Sequence, residues 1–393
     1  MRSSATSRPA SRVAADAAFM DRALDLAERG IALASPNPMV GAVLVRDGRV
    51  IGEGFHTYDG VRHAEVIALE AAGESARGAT LYINLEPCCH MGRTGPCTQA
   101  LISAGVARVV ASMPDPNPAV AGRGFQQLRA AGIAVSIGLR DAEARRLNEA
   151  FSCWIVSRKP LVTLKSALTL DGQLVLPQPK KNARIGASMS QKGRWISSPQ
   201  SRAEVQRMRH AADALVTGIG TVLADDPLLT DRTGLPRRRK LLRVVLDSRL
   251  RLPLRSNLVR SADGDVLAFT RAKENAPVAR SLRRAGVGVV SLAGRGSNLD
   301  LRKVIAELGR RELLSVILES GAILNSAALA AGIVDKMRVF FSPKIAGLVG
   351  DEPGANSAPT RLRPMQELKN VTIEPFGPDF AIEGYLHNVY RTR

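Results

Sequence analysis

Three of the chain's four cysteines lie in one stretch, residues 86–97, which reads EPCCHMGRTGPC. Upstream of it, His63-Ala64-Glu65 opens a predicted helix. The imidazole of His63 and the thiolates of Cys88 and Cys97 would give a zinc ion three protein ligands and leave a fourth position open to water, which is the arrangement of catalytic zinc sites. The sequence therefore predicts one catalytic zinc ion in the N-terminal half of the chain.

Glu65 follows His63 by two residues and is suited to proton transfer. Zinc lowers the pKa of its water toward neutrality, so that hydroxide can attack a ring carbon that carries an amino group. Glu65 would take the proton of that water and deliver it to the departing ammonia. Because His-x-Glu followed by Pro-Cys is the motif of zinc-dependent nucleobase deaminases, the pattern predicts a deaminase that acts on a pyrimidine-like ring.

Two other interpretations of these residues stay open at this point. One is a structural zinc site, which usually has a fourth protein ligand. Cys89 and His90 adjoin Cys88 in the chain, and we expect neither of them to reach the same ion. The other interpretation is a surface His-Ala-Glu with unrelated cysteines in the core.

The composition limits the class of protein. At 393 residues and 42.0 kDa the chain is longer than one core usually grows, so two domains are expected. Hydrophobic residues make up 45% of the chain, and no uncharged run is long enough to span a bilayer, so no membrane association is expected. Four cysteines without the spacing of a disulfide framework favour a reducing compartment, and we predict a cytoplasmic enzyme.

The charge balance is strongly basic, with a formal net charge of +19. A basic protein attracts phosphate groups, whether on nucleic acids or on small metabolites. Aromatic residues make up only 4% of the chain, so the stacking platforms that bind single strands are scarce and no nucleic-acid partner is expected. A small phosphorylated ligand would account for only part of the charge.

The sequence divides into four segments. We predict a disordered tail over residues 1–13, the zinc domain over 14–150, a linker over 151–160 and a second domain over 161–393. The tail is rich in Ser and Arg and has no apolar region of the kind that secretory signals contain. The boundary is placed where a strand pattern restarts after a charged helical segment.

Both domains alternate helix and strand patterns, which predicts two α/β domains. In the first, the clearest signals are a helix from about Ala14 to Gly30, a hairpin with its turn at Asp47-Gly48 and a strand over Thr80–Leu85. In the second, they are a strand over Leu161–Leu168 and a helix over Pro199–Ala212, for which Ser198 is the expected N-cap.

The second domain carries polar residues near predicted strand and helix ends, where α/β sheets hold their ligands. The turn Glu319-Ser320-Gly321-Ala322 could present backbone N–H groups to a cofactor phosphate, although such turns are common and usually only structural. Gly-x-Gly-x-x-Gly is absent from the sequence, so a standard Rossmann domain is not expected.

Several motifs resemble those of the bifunctional deaminase/reductases of riboflavin biosynthesis, and the resemblance covers nearly the whole chain. These motifs are Pro36-Asn37-Pro38-x-Val40-Gly41, His63-Ala64-Glu65, residues 86–97, Lys165 to Gly172, Trp195 to Ser198, Thr221 to Thr230 and Glu319-x-Gly321. Eight residues separate Cys88 from Cys97. In cytidine and tRNA-adenosine deaminases the gap is usually two, so its length distinguishes the families.

The resemblance implies a fold and a pair of reactions. The expected fold is a cytidine-deaminase-like three-layer α/β domain followed by a dihydrofolate-reductase-like α/β domain that uses NADPH. The first domain would hydrolyse the 2-amino group of 2,5-diamino-6-(ribosylamino)-4(3H)-pyrimidinone 5′-phosphate, and the second would reduce the ribosyl group to ribityl. The enzyme is also expected to form a homo-oligomer.

The resemblance further implies a role for individual residues. Asn37 and Arg93 would contact the deaminase substrate, and Lys165 and Asp225 would polarise the sugar carbon that accepts hydride. The residues expected to face the cofactor are Leu168, Trp195, Thr221, Asp225, Ser248, Gly321, Ala322, Ile323, Leu324, Asn325, Ser326 and Ala327. Those expected to face the reductase substrate are Gly193, Arg209, Leu229, Arg232 and Glu319, of which the arginines suit its phosphate.

The sequence departs from the family pattern at a few positions. Cys89 and Gly95 stand where a serine and a proline are more usual, and neither change removes a zinc ligand. On the reductase side, the segment 176–192 is longer than usual, Leu168 replaces a smaller residue, and Gly193 replaces a serine. These changes touch the cofactor and substrate contacts of the reductase.

Two alternatives to this function are kept. One is a nucleoside or tRNA-adenosine deaminase with an appended domain. The other, from a different class, is a zinc-stabilised basic RNA-binding protein without catalysis.

Overall fold

The computed structural model describes residues 8–174, 195–292, 298–346 and 366–390, which form two α/β domains. The elements of the first domain are α1 (Arg8–Glu28), β1 (Gly41–Arg46), β2 (Arg49–Phe55), α2 (Ala64–Ala72), a 3₁₀ helix (Gly73–Ala76), β3 (Thr80–Leu85), α3 (Cys97–Ser103), β4 (Arg108–Met113), α4 (Arg123–Ala130), β5 (Ala134–Ile137) and α5 (Asp141–Leu147).

The first domain is built on a five-stranded sheet in the order β2-β1-β3-β4-β5. The hairpin β1–β2 turns at Asp47 and Gly48, which both have positive φ, as a tight two-residue turn requires. One face of the sheet packs against α1 and α5 around residues such as Met20 and Val43. The other face packs against α2, α3 and α4 around residues such as Leu81. The domain therefore has three layers.

The second domain is larger. Its elements are β6 (Leu161–Thr169), α7 (Pro199–Ala211), β7 (Ala214–Gly218), α8 (Ile219–Asp225), β8 (Leu242–Leu246), α9 (Asn257–Arg260), β9 (Val266–Thr270), α10 (Pro277–Arg284), β10 (Val287–Ser291), α11 (Leu301–Arg310), β11 (Ser315–Glu319), α12 (Ala322–Ala331), β12 (Lys336–Ser342), β13 (Lys369–Phe376) and β14 (Asp379–Tyr385). They surround a nine-stranded sheet in the order β10-β9-β8-β7-β11-β6-β12-β14-β13.

Within this sheet, the strands from β10 to β12 are parallel, and β14 and β13 are antiparallel additions at one edge. The C-terminal ends of β8, β7, β11 and β6 therefore lie side by side, which is where parallel α/β sheets present ligand sites. Separate hydrophobic cores cover the two faces. The helix α7 begins after Ser198, whose side chain accepts a hydrogen bond from the N–H of Ser201, as the N-cap prediction requires.

One predicted boundary differs from the structure. The first helix begins at Arg8, so residues 8–13 of the predicted tail are helical. Most of the segment 151–160, predicted as a linker at the end of a charged helical segment, lies in α6 (Glu149–Ser157). Its residues Phe151 and Trp154, three positions apart, bury their side chains against Leu314 of the second domain. This apolar pair turns the connection into a packed helix.

Among the described residues, there is no helix whose length and apolar content would let it cross a membrane.

Candidate active sites

The three predicted zinc ligands come from the starts of two helices and from the loop after β3. His63 is the N-cap of α2, Cys97 is the first residue of α3, and Cys88 follows the end of β3. The Nδ1 atom of His63 lies 3.1 Å from Sγ of Cys97 and 3.4 Å from Sγ of Cys88. The opposite ring nitrogen, Nε2, faces Thr94 Oγ1 at 3.5 Å. Nδ1 is therefore the nitrogen available to a metal.

This donor set fits a tetrahedral zinc ion. One nitrogen and two sulfur atoms lie within 4.8 Å of one another, and ligand atoms around tetrahedral zinc stand roughly 3.5–3.8 Å apart. Cys89 and His90 do not belong to the cluster, as expected from their position next to Cys88. Three protein ligands leave one coordination position for a reacting water.

The two thiols affect each other's ionisation. Hydrogen bonds from Cys97 and His63 lower the pKa of Cys88, which favours its thiolate form. The same contact with Cys88, together with burial, raises the pKa of Cys97. The backbone N–H of Cys97 also donates to Sγ of Cys88 at 3.4 Å. A bound divalent cation deprotonates the thiols that coordinate it, so Cys88 and Cys97 would both bind zinc as thiolates.

Glu65 lies on the first turn of α2, directly beside the ligands. Its side chain is only 3% exposed and is hydrogen-bonded to Cys97. Burial, and next the negative charge of Cys88, raise the pKa of Glu65 to about 7. A carboxyl group with a pKa near the working pH can both accept and release a proton.

Asn37 lies on the loop that precedes β1 and is held by a buried histidine. Its Nδ2 donates to Nε2 of His56 at 2.9 Å, and Nδ1 of His56 donates to the carbonyl of Arg62 at 3.0 Å. Burial lowers the pKa of His56, which keeps the ring neutral and able to accept from Asn37. The rings of His56 and His63 meet edge to face, 5.4 Å between centroids. The amide of Asn37 is thus fixed next to the zinc ligands.

Arg93 lies on the exposed loop between Cys88 and Cys97. Its Nη1 donates to the carbonyl of Tyr58 at 3.0 Å, and its guanidinium carbon lies 4.3 Å from the centroid of the Tyr58 ring. The structure therefore places Arg93 and Asn37 on neighbouring loops around the metal cluster.

Glu86 and Asp115 are buried residues of this site that the sequence analysis missed. Oε2 of Glu86 accepts the N–H groups of Asp115 and Gly122 at 3.0 and 2.8 Å, and Oε1 accepts that of Gly124 at 2.9 Å. The loop after β4 is therefore fastened to the cysteine stretch. Burial raises the pKa of Asp115 to about 7, with smaller contributions from the negative charges of Glu86 and Cys88. The signal for Glu86 was its position at the end of a buried strand.

In the second domain, Lys165 and Glu319 come from adjacent parallel strands, and Arg209 comes from α7. Glu319 receives Nε and Nη2 of Arg209 at 2.8 and 2.9 Å, and its Oε2 lies 3.8 Å from Nζ of Lys165. Burial lowers the pKa of Lys165, while the charge of Glu319 opposes that shift. The pKa of Glu319 is itself below its ordinary value, because the charges of Lys165 and Arg209 outweigh its burial.

Arg232 joins this group electrostatically, since its charge also lowers the pKa of Glu319. The side chain of Arg232 is exposed, whereas that of Leu229 belongs to the hydrophobic core. Leu229 has φ +55°, and Nη1 of Arg209 donates to the carbonyl of the next residue, Thr230, at 3.1 Å. Any contact of Leu229 with substrate therefore comes from its backbone.

Most residues predicted to face the cofactor lie at the C-terminal edge of the parallel strands. Thr221 is in the first turn of α8, and Ser248 follows β8. Gly321 is the N-cap of α12, no side chain caps this helix, and the following Ile323 is 90% exposed. Free N–H groups at such a helix start can bind phosphate. The side chain of Asn325 is fixed because its Oδ1 accepts from Ser320 Oγ at 2.6 Å and its Nδ2 donates to Ser166 Oγ at 3.1 Å. The other residues of this segment that were predicted to face the cofactor also lie on α12: Ala322, Leu324, Ser326 and Ala327.

Three residues predicted for the reductase site make no described contact with Lys165, Arg209 or Glu319. Asp225 is the exposed last residue of α8 and, within the described residues, forms no hydrogen bond or ion pair with Lys165. Trp195 is exposed, with the guanidinium of Arg202 5.2 Å from its ring centroid. Leu168 lies on β6 opposite Phe341 of β12. Gly193 and the segment 176–192 lie outside the described residues.

Comparison with known sequences supports both halves of this description. Residues 13–113 match the cytidine and deoxycytidylate deaminase zinc-binding region, and residues 160–382 match the RibD C-terminal domain. The riboflavin biosynthesis protein RibD of Escherichia coli K12 is 40% identical over 382 residues, covering 93% of this chain and 98% of that protein. RibD of Aquifex aeolicus is 38% identical, covering 93% of this chain and 97% of its own.

Solved structures give the same result. RibD of Acinetobacter baumannii is 34% identical, with a TM-score of 0.78 over 95% of this chain and 99% of that one. A diaminohydroxyphosphoribosylaminopyrimidine deaminase/5-amino-6-(5-phosphoribosylamino)uracil reductase from Thermotoga maritima is also 34% identical, with a TM-score of 0.76 over 95% and 99% of the two chains.

A zinc-binding deaminase domain followed on the same chain by a reductase domain defines the class of bifunctional deaminase/reductases, and the predicted fold class is confirmed. The chain belongs to the RibD family of riboflavin biosynthesis. It is therefore an enzyme with a deaminase and a reductase activity in that pathway, and neither the tRNA or nucleoside deaminase nor the RNA-binding alternative is retained.

Proposed function

We propose that the first domain hydrolyses the 2-amino group of 2,5-diamino-6-(ribosylamino)-4(3H)-pyrimidinone 5′-phosphate and that the second reduces the ribosyl group of the product with NADPH. The observation that carries the proposal is the convergence of His63, Cys88 and Cys97 within 4.8 Å beside the buried carboxyl of Glu65. The Thermotoga maritima neighbour, whose name states these two activities, supports the choice of substrate.

In the deaminase site, His63, Cys88 and Cys97 would hold zinc. When bound, zinc supplies a Lewis acid that lowers the pKa of water for attack on the amino-bearing carbon. Glu65 accepts the proton that the water loses and passes it to the amino nitrogen as the carbon–nitrogen bond breaks. The second proton of the water goes to the adjacent ring nitrogen, so a ring carbonyl and ammonia are the products and Glu65 ends the cycle in its starting state.

Asn37 and Arg93 would hold the substrate around that carbon. The His56 contact fixes the Nδ2 side of the Asn37 amide, so Oδ1 is the atom left to accept from the ring. Arg93, exposed at the pocket rim, would pair with the substrate's phosphate or ring. Both residues would orient the ring over Glu65.

In the reductase site, Lys165 would donate a proton to the sugar oxygen while the carbon of the same C–O bond receives hydride. NADPH supplies that hydride when bound. Glu319 and Arg209 hold Lys165 in place, and Arg209 and Arg232 would bind the substrate phosphate. The uncapped N-terminus of α12 would receive a phosphate of the cofactor. A part for Asp225 in polarising the sugar carbon stays a prediction.

Ammonia release and ribityl formation test the proposal with one purified protein. The pyrimidine phosphate is supplied first without NADPH and then with it, and cytidine and tRNA serve as comparison substrates. We expect ammonia without NADPH and the ribityl product only after NADPH is added. Ammonia from cytidine or tRNA, but none from the pyrimidine phosphate, would contradict the proposed substrate.

A cytoplasmic location and a homo-oligomeric assembly complete the proposal. All four cysteines are free thiols, which suits a reducing compartment. The homo-oligomer stays a prediction, and the molar mass in solution would test it.

A further inference from the structure

Arg238 and Arg239, the last two of three consecutive arginines of the second domain, contact the first domain next to its substrate loops. The backbone N–H of Arg238 donates to the carbonyl of Ala32 at 2.9 Å, and its Nη1 donates to the carbonyl of Ser35 at 3.1 Å. Nη2 of Arg239 donates to Oγ of Ser35 at 3.0 Å. A loop of the reductase domain thereby fastens the turn that leads into the Asn37 loop.

Arg238 also holds the aromatic ring on which Arg93 rests. Its guanidinium carbon lies 3.7 Å from the centroid of the Tyr58 ring, and its Nε donates to Asp59 at 2.9 Å. Arg93 contacts the same ring at 4.3 Å and donates to the carbonyl of Tyr58 at 3.0 Å. A guanidinium over an aromatic face is attracted to it, so Tyr58 is fixed from the reductase side and in turn fixes Arg93.

Asn37 depends on the same contacts. Its N–H donates to the carbonyl of Ala34 at 2.9 Å, and the N–H of Tyr58 donates to the carbonyl of Leu33 at 3.0 Å. The turn 32–37 and the segment around Tyr58 are thus one connected unit. Arg238 bonds to both parts of this unit.

The position of Arg238 is set by its neighbour in the reductase domain. Nη2 of Arg237 donates to the carbonyl of Ala212 at 2.8 Å, and Nη1 donates to the carbonyl of Arg209 at 3.3 Å and to Asp231 at 3.1 Å. The chain is therefore anchored at Arg237 on the end of α7. It reaches the deaminase loops one residue later.

We infer that Arg238 is a positioning residue of the deaminase site, supplied by the reductase domain, which acts through Tyr58 to hold Arg93 and Asn37 in their substrate-binding orientation. This rests on the proposed deaminase function. Arg238 contacts none of the zinc ligands, and it lies on the binding side of the site. Its loss therefore weakens substrate binding and leaves the chemical step intact.

The test measures ammonia release by the full chain and separates KM from kcat. In R238A we expect KM for the pyrimidine phosphate to rise about fivefold to tenfold, the size expected for one lost cation–π contact with its hydrogen bonds, and kcat to change less than about twofold. Zinc content and the kinetics of the reductase with deaminated substrate should equal those of the wild type. The KM rise should be absent in K240A, the control, since Lys240 pairs with the exposed Asp263 of its own domain.

A second variant tests the route through the aromatic ring. Y58L removes the ring from both arginines and should raise KM as R238A does. In the double variant, KM should rise by clearly less than the product of the two single effects, because both substitutions remove the contact between Arg238 and the Tyr58 ring.

Different results overturn the inference. An unchanged KM in R238A does so, and so does additivity of the two substitutions. If R238A loses zinc, thermal stability and both activities together, then Arg238 stabilises the contact between the domains and does not position substrate-binding residues. An unchanged KM in Y58L would confirm that structural role. Wild-type protein that releases no ammonia from this substrate would instead count against the proposed function.

Discussion

Lys165 on β6 and Glu319 on β11 are register partners on adjacent parallel strands, and Nζ of Lys165 lies 3.8 Å from Oε2 of Glu319. Burial shifts the pKa of Lys165 below its ordinary value of 10.5, and Glu319 opposes this shift. The pair therefore balances a cost of burial against a favourable charge contact.

The pH profile of the reductase tests this balance. If protonated Lys165 donates to the sugar oxygen, then kcat/KM should fall as pH rises through the lowered pKa of Lys165, below pH 10.5. In E319Q the opposing charge is gone, so the pKa of Lys165 drops further and the alkaline limb should move to lower pH. The exposed Glu312 provides the control E312Q, whose limb should not move. A limb unchanged in E319Q would contradict the role of Lys165.

Removal of Lys165 itself should separate the two activities. We expect K165M to lower the reductase rate by about a hundredfold or more, as loss of a general acid does, while ammonia release stays at the wild-type level. NADPH oxidation with deaminated substrate and ammonia release are measured on the same preparation. Equal loss of both activities would mean that the substitution damages the fold.

Asn37 offers a test of the deaminase pocket. N37A removes the side-chain amide that His56 holds at 2.9 Å, so the pyrimidine ring of the substrate loses one polar contact. We expect kcat/KM for ammonia release to fall about tenfold or more, the effect of one hydrogen bond of about 1.4 kcal/mol. The reductase reaction provides the internal control. An N37A variant with the wild-type kcat/KM for ammonia release would show that the substrate does not contact Asn37.

Glu86 is predicted to stabilise the deaminase domain. E86A leaves three buried backbone N–H groups after β4, those of Asp115, Gly124 and Phe125, without their acceptor, which should cost about 3 kcal/mol or more of unfolding free energy. G124A should act in the same direction, because a Cβ there would stand 2.2 Å from the carbonyl of Pro87. Thermal unfolding measures both variants against E70A, whose carboxylate is exposed. Unfolding temperatures equal to that of E70A would contradict this role.

Removal of zinc should affect one activity only. The deaminase and reductase domains have separate hydrophobic cores, so a chelator should abolish ammonia release and leave NADPH oxidation with deaminated substrate in place. Added zinc should restore ammonia release, at one ion per chain. Loss of both activities on chelation would contradict the independence of the two sites.

The zinc site could be predicted because its residues are local in sequence. His63 and Glu65 are two residues apart, and Cys88 and Cys97 flank one short loop, so the motif predicts two ligands at neighbouring helix starts and the third in the loop between β3 and α3. The alternation of residues also predicts strands in both sheets: β3 has the predicted bounds, Thr80–Leu85, and β6 begins at the predicted Leu161 and ends one residue later than predicted, at Thr169.

What could not be predicted depends on contacts between distant parts of the chain. Glu86 binds a loop about thirty residues later, and Arg238 binds a different domain, so the sequence around each residue does not identify its partners. The helical pattern before Pro160 predicts α6 itself but not its packing, because Phe151 and Trp154 are buried by Leu314, far along the sequence. Three of the arginines, Arg209, Arg237 and Arg238, have such roles, since each contacts a distant part of the chain.

The most direct test of the central claim is the rate of ammonia release by E65Q at full zinc content. Glutamine keeps the shape of the side chain but cannot carry the proton, so we expect the rate to fall by about 10² to 10⁴ with one zinc retained per chain. E70Q, on the exposed face of the same helix, should keep the wild-type rate. A zinc-loaded E65Q that releases ammonia at the wild-type rate would contradict the account.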